Sequence, residues 1–282
     1  TAGDFLRRFS AKDVETLMDA INRVRQRIWQ SQAEDQRQLA IIDVDGTIVE
    51  TTGECKQEAD FAYNGKWGYG PLVVSLANTQ EPLYTVNRPA NRPSHDGAIK
   101  WMDKAVACAG EAGFSRVRLR GDTDFSLTAH FDRWTSEKVQ FAFGIDAHPS
   151  FVKLAHTIDE ESWKPLKRRP KWIVKTRSRL RPANVKQAVV RERGYKNLRL
   201  RSEHVTEVEY TPTKAKGVYR MIILRKNISV EKGEEHLLDD ISYFFYVTNI
   251  SRSELTTANV VYQCNARCNQ ENLIEQLKNG VR

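Results

Sequence analysis

The chain reads as a mixed α/β fold interrupted by a β-rich insertion, and three features of its 282 residues say so. Short apolar runs bounded by turn residues recur through the first half. Helix-period segments stand between some of them, and from about residue 149 basic residues and prolines crowd before alternating segments resume. Strands interleaved with helices call for a layered α/β sheet.

Taken in order, Ser10-Ala-Lys-Asp13 is a capping-box-like start, with Asp in place of the usual Glu. It opens a helix expected to run to about Gln32 and to pack a stripe of Val14, Leu17, Met18, Ile21, Val24, Arg25 and Ile28 on the next element. Gln38 to Val49 reads as a buried strand whose only charges are Asp43 and Asp45. Two acids two residues apart point to the same side of a strand. Burying them costs several kcal/mol unless a cation or hydrogen bonds compensate, which favours a metal over a purely structural explanation.

Strands follow at 71–77 and 82–87, then a loop with two prolines, then a helix from Ser94 or His95 through Ala109. Ser115 to Leu119 is the next strand, with Asp122 just past its end. A short helix at 125–135 and a strand at 139–143 complete this part. The insertion is expected over 149–238, with alternating segments at 172–175, 204–210 and 218–224. A buried strand over 239–249 returns the chain to the main sheet, and Val260, Val261 and Tyr262 lead into a terminal helix. The expected organisation is therefore 1–36 helical, 37–148 first half of the core, 149–238 insertion and 239–282 second half.

No run approaches 18 apolar residues, so no membrane span is expected, and no signal peptide opens the chain. It begins at Thr1 without Met and stops just after the terminal helix, as a trimmed piece of a longer protein would. The net charge of +8 favours a polyanionic partner. The excess concentrates between Lys164 and Arg181, where nine Lys or Arg residues stand with no acid, beside Trp163 and Trp172. Lys167, Arg168, Arg169 and Lys171 lie in this run, which suits a phosphate-backbone track better than a plain solvated face. Cys55, Cys108, Cys264 and Cys268 read as dispersed thiols, because no second Cys/His pair stands at zinc spacing.

On the terminal helix Arg267, Glu271, Ile274 and Lys278 form one stripe, flanked by Leu273 and Leu277. Alone it is a surface ladder of charges. Together with Asp45 in Asp43-Val-Asp45-Gly-Thr47 and Asp122 in Arg120-Gly-Asp-Thr-Asp124, it resembles the DDE transposases of bacterial insertion sequences. The similarity is to the group with a long insertion between the second Asp and the Glu. Trp67-Gly-Tyr-Gly-Pro-Leu72, Ser75-Leu-Ala-Asn-Thr79, Asn87-Arg-Pro89 and Arg267-Cys-Asn-Gln-Glu-Asn-Leu273 resemble that group as well, so the likeness covers nearly the whole chain.

The resemblance implies an RNase H-like core and a cytoplasmic, nucleoid-associated enzyme working as a homodimer on double-stranded DNA, both element ends and target. It implies that Asp45, Asp122 and Glu271 hold two Mg²⁺, replaceable by Mn²⁺, for phosphodiester cleavage and strand transfer. Arg267 and Lys278 would contact DNA phosphates. Where related transposases often carry a Tyr shortly before the Arg, this chain has Cys264, leaving Tyr262 a weak stand-in. Asp43 remains an alternative first acid, and Asp124 reads as a loop or cap residue.

Two other readings use the same letters. An apolar strand ending Asp43-Val-Asp45-Gly-Thr47 also resembles the nucleophile motif of haloacid-dehalogenase-type phosphatases, with Asp43 phosphorylated and Lys100 or Lys104 binding phosphate. The basic insertion and the Arg267–Lys278 stripe are superfluous to that chemistry. A non-catalytic DNA-binding module is the other reading, and it leaves the buried acids unexplained.

Overall fold

The computed structural model describes residues 1–168, 198–228, 230–231, 234–235 and 240–280. In chain order the elements are α1 (Ala2–Leu6), α2 (Ala11–Gln30), β1 (Ala40–Gly46), β2 (Val49–Glu50), β3 (Asp60–Phe61), β4 (Trp67–Tyr69), β5 (Leu72–Leu76) and β6 (Glu81–Val86). They continue with α3 (Ala98–Glu111), β7 (Val117–Gly121), α4 (Phe131–Ser136), β8 (Gln140–Ile145), α5 (Pro149–Thr157), β9 (Lys164–Pro165), β10 (Leu198–Arg199), β11 (Ser202–Tyr210) and β12 (Tyr219–Asn227). The last are β13 (Val230–Glu231), β14 (Glu234–Glu235), β15 (Ile241–Thr248), α6 (Thr257–Asn265) and α7 (Cys268–Asn279).

A nine-stranded mixed sheet runs in the order β6-β5-β1-β7-β8-β15-β12-β11-β9. β1 pairs antiparallel with β5 and parallel with β7, and β7 pairs parallel with β8. The chain divides into two compact units, one of Thr1–Ile145, Glu209–Met221 and Tyr246–Arg282, the other of Asp146–Val208 and Ile222–Phe245. No described helix is long and apolar enough to cross a membrane.

In the first unit, alternation along β1 sends Ile42 and Val44 into a core shared with Met102, Ala105 and Ala109 of α3, all essentially inaccessible to solvent. The same alternation turns Asp43 and Asp45 the other way, where residues of α6 and α7 hydrogen-bond to the strands. α4 closes a cluster of Phe131, Trp134, Phe141 and Phe143, with Phe131 and Phe141 stacked at 4.3 Å. A small sheet, β2-β4-β3, stands apart from the main one. Its central Gly68 is obligatory, because a Cβ there would lie 2.1 Å from the Val49 carbonyl oxygen.

In the second unit, the Arg225 guanidinium lies 4.4 Å from the centroid of the buried Trp163 ring and also binds Glu160. His156 and Phe151 of α5 pack edge-on or tilted against Tyr243 and Phe245 of β15.

Several expectations are corrected. α2 is capped as foreseen, Ser10 and Asp13 exchanging hydrogen bonds, but it ends at Gln30. Its apolar stripe does not pack inward: Val14, Leu17, Ile21, Val24 and Ile28 are all exposed. The buried side instead carries Asn22 and Trp29, with Met18 partly covered. Polar anchors decided this. Asn22 donates to the Leu83 carbonyl, Gln26 to that of Cys108, and Trp29 Nε1 to Glu81. The stretch read as one strand to Val49 breaks after Gly46 and re-forms as β2 in the small sheet. The short helix expected over 125–135 resolves into two 3₁₀ turns and α4. The segment 172–175 lies outside the described residues.

Candidate active site

Asp43 and Asp45 share a face of β1 but have different surroundings. Asp43 is 1% exposed, and both its oxygens accept hydrogen bonds of 2.7 Å from Arg120, its cross-strand neighbour on β7. Arg120 donates again to the Gln263 carbonyl of α6. A buried carboxylate needs such a fixed partner, and this pair supplies a structural reason for Asp43 that the sequence reading lacked. Neither oxygen is left for a phosphoryl group. Lys100 and Lys104 are held by Glu15 and, for Lys104, Asp19 on α2. The phosphatase arrangement is therefore not built.

Asp45 stands one step further, at the strand end, and lines a cavity of about 530 Å³ with Thr47, Tyr63, Arg88, Arg92, Asp122 and Lys278. Burial pushes the Asp45 carboxyl up to about 6; Arg267 opposes that shift, the Asp122 charge adds to it, the Gly46 N–H opposes it, and Glu271 adds the smallest part. Asp122 follows β7 and accepts a hydrogen bond from the Asp124 backbone N–H, so the capping role expected of Asp124 belongs to Asp122. Asp124 lines the cavity.

The terminal stripe is not one continuous helix. α6 stops at Asn265 and α7 starts at Cys268, with Arg267 as the residue before its first turn. From there the guanidinium reaches both acids: Arg267 Nη2 lies 3.8 Å from Asp45 and 3.7 Å from Asp122. Its Nη1 donates to the Val44 carbonyl. Gln270, 3% exposed, donates to the carbonyl of Val73, the β5 residue paired with Asp45. At the far end of α7, Lys278 Nζ donates to Thr47 Oγ1 and the Ile48 carbonyl. Leu273 and Ile274 are buried beneath the helix, whereas Leu277, expected to flank them, is 46% exposed. Glu271 lies in the first turn of α7 with its side chain exposed.

The sequence reading assigned no role to Arg88, although the Asn87-Arg-Pro89 run that carries it stood out. Arg88 is 8% exposed and donates to the carbonyls of Gly70, Ser94 and Asp96, which braces the cavity wall. Burial lowers its pKa. In the insertion, Arg168 forks onto the buried Glu203 carboxylate at 2.5 and 2.8 Å, and Lys167 is exposed. Arg169 and Lys171 lie outside the described residues. Cys55, Cys108 and Cys264 are free thiols.

Among the described residues, no three His, Cys, Asp or Glu side chains stand together as a preformed metal site. The donor chemistry at the cavity nevertheless suits a hard divalent cation. Asp45 and Asp122 offer oxygen ligands only, and the raised Asp45 pKa marks a place where more positive charge would be stabilising.

No curated protein matches the chain. Among solved structures, the chain is similar to a piggyBac transposase in a synaptic complex with hairpin DNA, at 13% identity and a TM-score of 0.43. That similarity covers 84% of this chain and 40% of the other, so the chain spans well under half of its length. Residues 1–282 match the family described as Transposase DDE domain group 1, and with the whole length matched the chain belongs to that family.

Proposed function

We propose that the chain is the catalytic core of a DNA transposase that cleaves phosphodiester bonds at the ends of a mobile element and joins the freed 3′-hydroxyls to target DNA. We place it with the bacterial insertion-sequence transposases that carry a long β-rich insertion. The observation that carries the reading is the meeting of Asp45, Asp122 and Arg267, from three separate stretches of chain, at one charged cavity. Family membership supplies the reaction class.

In this reading Asp45, Asp122 and Glu271 hold two Mg²⁺, for which Mn²⁺ substitutes. Bound there, the ions supply an activated water or 3′-hydroxyl and charge stabilisation for the leaving oxygen. The chain's own residues orient and neutralise. Lys278 and Arg92, both lining the cavity, offer positive charge to DNA phosphates, Arg267 balances the carboxylates, and Arg88 keeps the wall rigid. The insertion, proposed to span 149–238, tracks the DNA backbone through Lys167 and the neighbouring Arg169 and Lys171. Arg168 is instead committed to the Glu203 carboxylate. Two element ends held together imply a dimer on DNA.

The test is nicking of a double-stranded oligonucleotide carrying the element end, in Mg²⁺ or Mn²⁺. Asp45→Asn, Asp122→Asn and Glu271→Gln should each abolish nicking while DNA binding in EDTA persists. Undiminished nicking by Glu271→Gln removes that residue from the site.

A further inference from the structure

The outward face of α2 has a spacing that the fold leaves unused. Val14, Leu17, Ile21, Val24 and Ile28 follow one another at intervals of three and four residues, the a/d repeat of a coiled-coil seam. Their exposures are 44, 60, 43, 57 and 57%. The helix is held to the rest of its unit from other sides, through Asn22, Gln26 and Trp29 to β6 and α3, so the seam points away from the body. A run of apolar side chains left in water over four helical turns marks an interaction surface. None of its residues lines the cavity at Asp45.

We infer that this seam is a contact between two copies of the chain, the α2 helices pairing antiparallel about Ala20. A second copy brings the identical three–four spacing, so the two seams match without further adjustment. Charge selects the orientation. In the heptad register Asp13, Ala20 and Arg27 flank the seam on one side. Antiparallel pairing sets Asp13 opposite Arg27 of the other copy at both ends, with Ala20 facing its own equivalent between them. Parallel pairing would set Asp13 against Met18 and Arg27 against Gln32, with no ion pair. Both cap bonds to Asp13 use Oδ2, which keeps Oδ1 for an incoming guanidinium, and Arg27 is exposed.

The test needs neither DNA nor metal, so it stands or falls apart from the transposase reading. Sedimentation equilibrium of the 282-residue chain over roughly 1–200 µM brackets the affinity expected of a short seam. The expected result is a monomer–dimer equilibrium that Leu17→Glu with Val24→Glu weakens about tenfold or more, a change of about 1.4 kcal/mol. Both positions are solvent-facing, so far-UV circular dichroism should be unchanged. In a Cys55→Ser background, Ala20→Cys should cross-link as a dimer on mild oxidation and Ile28→Cys should not. A chain that stays monomeric throughout overturns the inference, as does a dimer indifferent to the double substitution. Cross-linking through Ile28→Cys and not Ala20→Cys overturns the antiparallel arrangement.

Discussion

Arg120 and Asp43, facing neighbours on β7 and β1, join through two 2.7 Å hydrogen bonds in the interior of the sheet. Two residues along the same strand, Asp45 has no such cation of its own and shares the Arg267 guanidinium with Asp122. The two aspartates, similar on paper, therefore have opposite expected behaviour under substitution.

Asp43→Asn leaves Arg120 buried and uncompensated, a change that costs about 3–5 kcal/mol when one partner of a buried pair is removed. Urea denaturation should show a large fall in midpoint. Protein that still folds should bind DNA normally. A variant as stable as the parent would mean that the pair does not hold the sheet.

Asp45→Asn should do the reverse. The ionised Asp45 carboxylate is disfavoured in the fold, with its pKa raised to about 6 by burial first and like charge second. A raised carboxyl pKa means that the native state binds the extra proton between the unfolded value near 3.8 and about 6. Stability in EDTA therefore falls as pH rises through that window, and the deficit is full above it. Replacing the acid with Asn should raise stability at pH 7–8 by at most about 3 kcal/mol, with the gain vanishing below about pH 4. Thermal melts of both proteins across pH give the comparison, and parallel curves would contradict it.

Gln270→Leu removes the hydrogen bond that ties the first turn of α7 to Val73, opposite Asp45. The helix remains, but its hold on the strands that carry Asp45 loosens. Displacements of about 1 Å at a reacting centre can cost about 100-fold in rate. Single-turnover nicking should fall by at least tenfold, while the melting temperature and DNA affinity change little. An unaltered rate would show that Arg267 and Lys278 suffice to place the helix.

Within the basic run, Arg168→Ala and Lys167→Ala should separate. Losing Arg168 strips the buried Glu203 of its close ion pair and should destabilise the second unit by about 1–3 kcal/mol. Losing the exposed Lys167 should reduce the salt dependence of DNA binding. Proteolysis at graded urea reports the first effect and binding titrations at several salt concentrations report the second.

By itself the sequence determined most strands of the sheet, the capped start of α2 and, through its motifs, the family. Those features are written in local terms: apolar period, capping side chains and short spacings. Only the tertiary structure decided which aspartate is neutralised, because Arg120 reaches Asp43 through strand pairing between residues 77 positions apart. It also decided that the apolar stripe of α2 faces water. Periodicity shows that a helix has two unlike faces, but which one is buried depends on the carbonyls and side chains it meets. Here Asn22, Gln26 and Trp29 met theirs on the polar side.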